Sequence, residues 1–279
     1  MDSQEQTRFE VTTSDIPYHH IGGKPILARL YRPKGAGPFP AIAEVHGGAW
    51  VNGDRNNNAV ICQELASAGA VVLALDFRMP PEAGYPTSIA DINLGIRFLK
   101  AHAAEYASRP ELVGGLATSS GGHQLMLNAL KPMDPRYAAL PGPTGVDAKL
   151  AFVVLGWPVL DPLARFRMAQ EKKIDRFLQA HAAYFPNEAA MSEGNPQLII
   201  ERGEKSERPP LLILQGTNDD NLTPDMADRF TAAYRKAGGT VELHKYEGQP
   251  HMFVTKDPTT KESLEALATM KAFVRKQAR

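Results

Sequence analysis

Three side chains of the kinds used in acyl transfer each stand at a turn in this chain. Ser119 lies in Ala117-Thr118-Ser119-Ser120-Gly121-Gly122, directly behind an apolar run. Asp219 lies in Gly216-Thr217-Asn218-Asp219, and His251 in Gly248-Gln249-Pro250-His251-Met252-Phe253. A serine hydroxyl is a weak nucleophile at neutral pH, so a base must take its proton. Histidine, with an ordinary pKa of about 6.5, suits that task, and a carboxylate beside it sets the tautomer and stabilises the imidazolium. Of the eight histidines, His251 is the best candidate: Gly248 and Pro250 make its loop a fixed turn, and Met252-Phe253 can anchor that loop in the core. Asp219 is favoured over Asp220 because it stands three residues past Gly216, just beyond a strand-like run. Asp220 suits an Asx turn or a cap on the helix after Pro224.

The backbone around Ser119 supports the same chemistry. A strand that runs into a glycine-rich turn and then a helix must bend sharply, and Ala117, Ser120, Gly121 and Gly122 are small enough to allow it. The bend lifts the hydroxyl and leaves the next amide at a helix N-terminus, where N–H groups favour an anion. Upstream, His46-Gly47-Gly48-Ala49-Trp50 follows another strand-like run. Its glycines let amides approach a substrate oxygen, and those of Gly48 and Ala49, with Ser120, are the expected oxyanion hole. His46 is expected to tie the loop to its neighbours rather than to react. Each motif has an ordinary reading alone: a helix N-cap, a loop histidine, a glycine turn. Their combination points to hydrolysis of an acyl bond.

These residues need a scaffold. Apolar runs at Ile26–Tyr31, Ala41–His46, Val71–Leu75, Leu112–Ala117, Ala151–Leu155, Leu211–Gln215 and Val241–Tyr246 read as strands. Several are apolar on successive residues, the pattern of strands covered on both faces. Helical patterns fall between them at Ala59–Ala68, Ile89–Tyr106, Ser120–Leu130, Asp225–Ala237 and Lys261–Lys276. The alternation predicts an α/β sheet with crossover connections. Pro162–Pro210 breaks it: no strand-like run occurs there, and a helix is expected through Gln170–Phe185. This segment reads as a cap insertion (162–210) inside a single domain (1–279), over the strands' C-terminal edge where α/β folds place ligands. A peripheral decoration is the alternative.

Composition narrows the function class. The 279 residues suit one large α/β domain with an insertion. Lys plus Arg and Asp plus Glu are 31 each, so no charge footprint for nucleic acid or anionic membrane is expected. A single cysteine, Cys62, excludes an intrachain disulfide and reads as a buried thiol. No apolar run approaches a membrane span, and the polar start Met1-Asp2-Ser3-Gln4-Glu5-Gln6 lacks a secretory pattern, so a cytoplasmic location is expected. No His-Glu-x-x-His motif or cysteine pair suggests a metal, and no phosphate-binding glycine motif suggests a nucleotide; no cofactor is expected.

The order nucleophile, acid, base is that of α/β-hydrolases, whereas chymotrypsin-like and subtilisin-like proteases use other orders. The chain further resembles the HGG-containing carboxylesterases related to hormone-sensitive lipase. His46-Gly47-Gly48-Ala49-Trp50-Val51-Asn52-Gly53-Asp54 is similar to that family's oxyanion loop. Asp76-Phe77-Arg78-Met79-Pro80-Pro81-Glu82 with Tyr85-Pro86, and Trp157-Pro158-Val159-Leu160-Asp161-Pro162, resemble two further segments. The resemblance runs from about Tyr31 to the end. It implies the α/β-hydrolase fold with a mostly parallel eight-stranded sheet, and it supports Ser119, Asp219, His251 and the three amides. Two positions depart: Ala117 replaces the elbow's first glycine, and Ala49 the loop's third. The N-terminal region is also too short for the family's usual helical cap.

Three functions follow as alternatives. The leading one is hydrolysis of small acyl or aryl esters through an acyl-enzyme, with Trp50, Trp157, Phe166, Phe177 and Tyr184 as candidate pocket walls. An amidase or arylformamidase would use the same three residues. A ligand-binding protein on the hydrolase fold needs a broken catalytic set. The expected partner is a small ester or amide, with no nucleic acid or membrane; a homodimer is compatible with the sequence.

Overall fold

A computed structural model describes residues 8–277. Its centre is one sheet of eight strands: β1 (Val11–Ile21), β2 (Lys24–Pro33), β3 (Ala41–Val45), β4 (Val71–Leu75), β5 (Val113–Thr118), β6 (Val153–Gly156), β7 (Leu211–Gly216) and β8 (Val241–Tyr246). Their order across the sheet is β1-β2-β4-β3-β5-β6-β7-β8. β1 and β2 pair antiparallel, as do β2 and β4, and the other neighbours are parallel. This is the α/β-hydrolase fold that the motif order implied.

The successive apolar residues are explained by two cores, one on each face. In β3, Ala41, Ala43 and Val45 enter one core while Ile42 enters the other; in β7, Leu211 and Ile213 alternate likewise with Leu212 and Leu214. The first core is closed by α2 (Thr87–Ala101), α3 (Ser119–Leu130) and α8 (Met226–Lys236). The second is closed by α1 (Ala59–Ser67), which buries Ile61, Cys62 and Leu65, and by α9 (Phe253–Lys256) and α10 (Lys261–Gln277). Ile89, Ile92, Ile96 and Leu99 form the buried stripe of α2. This helix stops at Ala101, and Ala104–Tyr106 forms a separate 3₁₀ turn where a continuous helix to Tyr106 was expected.

β1 carries no strand signal in the sequence. Its residues are mostly solvent-facing, and Pro17 sits at a register shift against β2. An edge strand tolerates a proline because one row of its N–H groups has no ladder partner.

Between β6 and β7 lie four helices: α4 (Pro162–Glu171), α5 (Asp175–Tyr184), α6 (Glu188–Glu193) and α7 (Pro196–Glu201). Their starts are written locally. Asp161, Asn187 and Asn195 accept from Ala164 N (2.9 Å), Ala190 N (2.8 Å) and Leu198 N (3.2 Å). Two of these caps precede a proline in the first helical turn, where the missing N–H costs nothing. The single helix expected through Gln170–Phe185 is broken: Lys173 takes a left-handed φ of +54° between α4 and α5.

Candidate active site

The sharp turn sits at the junction of β5 and α3. Thr118 is extended and Ser119 has φ +50°, a left-handed conformation that a non-glycine residue adopts only where its surroundings enforce it. The enforcement is close packing behind the turn. A Cβ on Gly121 would lie 2.3 Å from the Val45 carbonyl oxygen and 2.4 Å from that of His46. Glycine is therefore required for α3 to begin this near β3. Below the turn, Asn58 Nδ2 donates to Thr118 Oγ1 (2.9 Å) and to Glu44 Oε1 (2.6 Å). Glu44 is fully buried, and burial pushes its carboxyl up to about 8 against the opposing Asn58 hydrogen bond.

Three loops at the C-terminal ends of β5, β7 and β8 bring Ser119, Asp219 and His251 together. His251 Nε2 lies 2.9 Å from Ser119 Oγ, and His251 Nδ1 lies 2.8 Å from Asp219 Oδ2. With Nδ1 donating to the carboxylate, Nε2 faces the hydroxyl as an acceptor. Asp219 also accepts from Gln215 Nε2 (2.9 Å) and Asn221 N (3.0 Å), so both its oxygens are held. Its side chain is 3 % exposed and that of His251 6 %, which keeps the pair out of bulk water. Asp220 is exposed and does not reach His251 among the described contacts.

The loop after β3 faces this turn. Gly48, Ala49 and Trp50 have φ of +118°, +53° and +67°, so three successive residues are left-handed or beyond. Gly48 is required: a Cβ there would stand 1.8 Å from the Asn52 carbonyl oxygen. Among the described residues, neither the Gly48 nor the Ala49 amide donates to any acceptor. Trp50 N instead donates to Ser120 Oγ (3.1 Å), pinning the loop to α3. The His46 ring stacks on Phe77 at 4.4 Å and its Nδ1 donates to the Gly47 carbonyl (2.6 Å). Burial lowers its pKa, in keeping with a neutral structural ring.

A cleft of about 490 Å³ opens beside Ser119 and His251. Gly48, Ala49 and Asn52 form one wall, Pro250 and Met252 another, and α4 and α5 close it with Arg165, Arg176 and Phe177. The expected aromatic walls are largely elsewhere. Trp50 and Tyr184 are buried and stacked on each other. Trp157 is buried behind His251, at 6.4 Å from its ring and 5.4 Å from Phe253. Phe166 is half-buried against His181. Phe177 alone of the five lines the cleft. Aromatic content marks a side chain as apolar without telling a pocket wall from a core. Arg165, Arg176, Asn221 and Lys256 also line the cleft and carry no sequence signal of it.

Behind the cleft, His123 accepts from Trp50 Nε1 at Nδ1 (3.2 Å) and donates from Nε2 to the Gly194 carbonyl (2.7 Å). His181 Nδ1 donates to the Phe177 carbonyl (2.7 Å). Burial holds both rings down to about 4. Among the described residues, no group of three or more His, Cys, Asp or Glu could hold a metal ion, and no helix is long and apolar enough to cross a membrane.

Known proteins resemble this chain in sequence and in fold. The chain is 28% identical over 228 residues to the probable carboxylic ester hydrolase LipM of Mycobacterium tuberculosis, covering 80% of this chain and 51% of that protein. It spans about half the length of the curated relatives it matches. Among solved structures, the propionate-bound esterase Est2 of Thermogutta terrifontis superposes with a TM-score of 0.76 at 23% identity, covering 98% of this chain and 95% of that one. Esterase B of Lactobacillus rhamnosis, inhibited by a tributyrin phosphonate, superposes with a TM-score of 0.79 at 20% identity, covering 99% and 89%. At these identities the two structures show the fold. The family is shown by a model that matches residues 29–234: the chain belongs to the BD-FAE family.

Proposed function

We propose that this chain is a serine hydrolase that cleaves carboxylic esters of small acyl or aryl substrates through an acyl-enzyme intermediate. One observation carries the reading: the continuous hydrogen-bonded line Ser119 Oγ, His251 imidazole, Asp219 carboxylate, which ends beside two amides without acceptors. In this reading His251 Nε2 takes the Ser119 proton as Oγ bonds to the ester carbonyl carbon. The carbonyl oxygen becomes an oxyanion, held by the amides of Gly48, Ala49 and Ser120. The tetrahedral adduct collapses, the bond to the alcohol oxygen breaks, and Nε2 returns the proton to that oxygen. Water then attacks the acyl-enzyme by the same route and releases the acid. Asp219 stays ionised and steadies the imidazolium.

The 162–210 segment acts as a cap within the single domain, since α4 and α5 supply cleft walls. LipM and the two esterase structures support the choice of an ester over other acyl compounds. A homodimer and a cytoplasmic location stay as expectations, tested by light scattering and cell fractionation.

The test is turnover of p-nitrophenyl acetate by the wild type and by Ser119→Ala. Loss of the nucleophile in a serine triad costs on the order of 10⁶ in kcat, and a fluorophosphonate should label Ser119 alone. Wild-type-like turnover by the variant would remove the assignment. Faster cleavage of a formanilide than of the matched ester would shift it to an amidase.

A further inference from the structure

One buried charged group in the cleft is in no ion pair among the described residues. Arg165, on α4, is 1 % exposed, and its guanidinium is in no ion pair among the described residues. Its Nε donates to the Asn221 carbonyl (3.0 Å), while Nη1 is buried without an acceptor among the described residues. The guanidinium lies over the Phe177 ring at 4.0 Å and near the Trp50 ring at 5.4 Å. Stacking occupies the faces of a guanidinium and leaves its edge N–H groups to bind a planar anion. Burial lowers its pKa to about 10, so it stays charged at neutral pH.

Buried charges are ordinarily paired, because taking a lone ion out of water is costly. The surroundings add to the imbalance. Arg176 and Lys256 also line the cleft, both exposed and both outside any ion pair among the described residues. Exposed Asp220 also lines the cleft, and the charge of Asp219 acts on Arg165, but that carboxylate is already held by His251, Gln215 and Asn221.

We propose that the ester cleaved here carries a carboxylate apart from its scissile bond, and that Arg165 binds this carboxylate through its open edge. The inference rests on the serine-esterase reading. Arg176 and Lys256 add a positive rim that draws the anion in. Arg165 thereby determines specificity on the cap side, while the bond-breaking groups stay on the sheet side.

Two matched pairs of esters test this. Phenyl acetate against 4-carboxyphenyl acetate places the anion on the alcohol side; phenyl hexanoate against the phenyl half-ester of adipic acid places it on the acyl side. In at least one pair the wild type should favour the anion by roughly 10- to 100-fold in kcat/KM, the range of a charged hydrogen bond. Added salt should reduce that ratio. Arg165→Gln should bring it towards one, and Arg176→Gln, at an exposed site, part of the way. Thermal melts check folding; if Arg165→Gln does not fold, Arg176→Gln and the salt series decide. Turnover of the neutral esters with no anion preference in either pair would overturn the proposal and leave the esterase reading standing. So would a preference that folded variants and salt leave unchanged. No turnover of any of the four esters would remove the esterase reading, and this proposal with it.

Discussion

The rings of Trp50 and Tyr184 stack 5.3 Å apart with planes only 8° from parallel, joining the Gly48–Ala49 loop to α5. Tyr184 is held in turn by Ser88, whose Oγ lies 2.8 Å from its hydroxyl, and by Gln124 Nε2 at 3.3 Å. The loop is thus held from α5 and from α3 together. Trp50→Ala empties this aromatic cluster and should destabilise the fold by about 3–5 kcal/mol. Trp50→Phe keeps a stacking ring and loses the Nε1 hydrogen bond to His123, so its cost should be nearer 1–3 kcal/mol. Urea denaturation of both variants measures the order, and a Trp50→Ala variant as stable as wild type would show that the stack does not hold the loop.

Asp219 and Asp220 are neighbours with different fates. Asp219→Asn should lower kcat by about 10⁴, since an amide cannot stabilise the imidazolium and favours the wrong tautomer. Asp220 is exposed on the cleft rim, and Asp220→Asn should change kcat for a neutral ester little. Steady-state kinetics on p-nitrophenyl acetate compares them, and equal losses would contradict the geometry.

The two adjacent serines should separate cleanly. Ser120 Oγ accepts the Trp50 amide, so Ser120→Ala leaves a buried N–H without an acceptor. That omission costs about 1–3 kcal/mol of stability, with fluorophosphonate labelling of Ser119 retained. A melt unchanged from wild type would mean that the loop finds another acceptor.

Glu44 makes stability depend on pH. Its carboxyl is raised to about 8 by burial, above the ordinary 4.5, so the folded chain keeps a proton that the unfolded chain releases. Its contribution is fully present below about 4.5 and is lost as pH rises towards 8, at up to about 1.4 kcal/mol per pH unit. Glu44→Gln has no such proton. Its stability relative to wild type should therefore rise between pH 5 and pH 8, as read by chemical denaturation at a series of pH values. A difference constant across that range would show that Glu44 does not titrate there.

Much of the site was legible before folding because its constraints are local. Small residues must flank a sharp turn, glycine must stand where a carbonyl leaves no room for a Cβ, and a carboxylate and an imidazole must follow their strands in loops. Ser119, Asp219, His251 and the Gly48–Ala49 loop were singled out in this way, and the fold brings them to one cleft; the two-sided apolar strands predicted the covered sheet. β1 was missed because an edge strand with a proline and mostly solvent-facing residues carries neither apolar signal. The cleft walls were beyond the sequence for a different reason. Trp50, Trp157 and Tyr184 are apolar wherever they sit, and only packing decided that they fill cores while Phe177 faces the cleft. Arg165 is the sharpest case. An arginine in a short helix reads as a solvated charge, and it becomes a buried cation outside any ion pair among the described residues only when α4 and α5 pack against the loop that carries Asp219 and Asn221. Burial is a property of what surrounds a side chain in space, and here those surroundings include Asn221, 56 residues further along the chain.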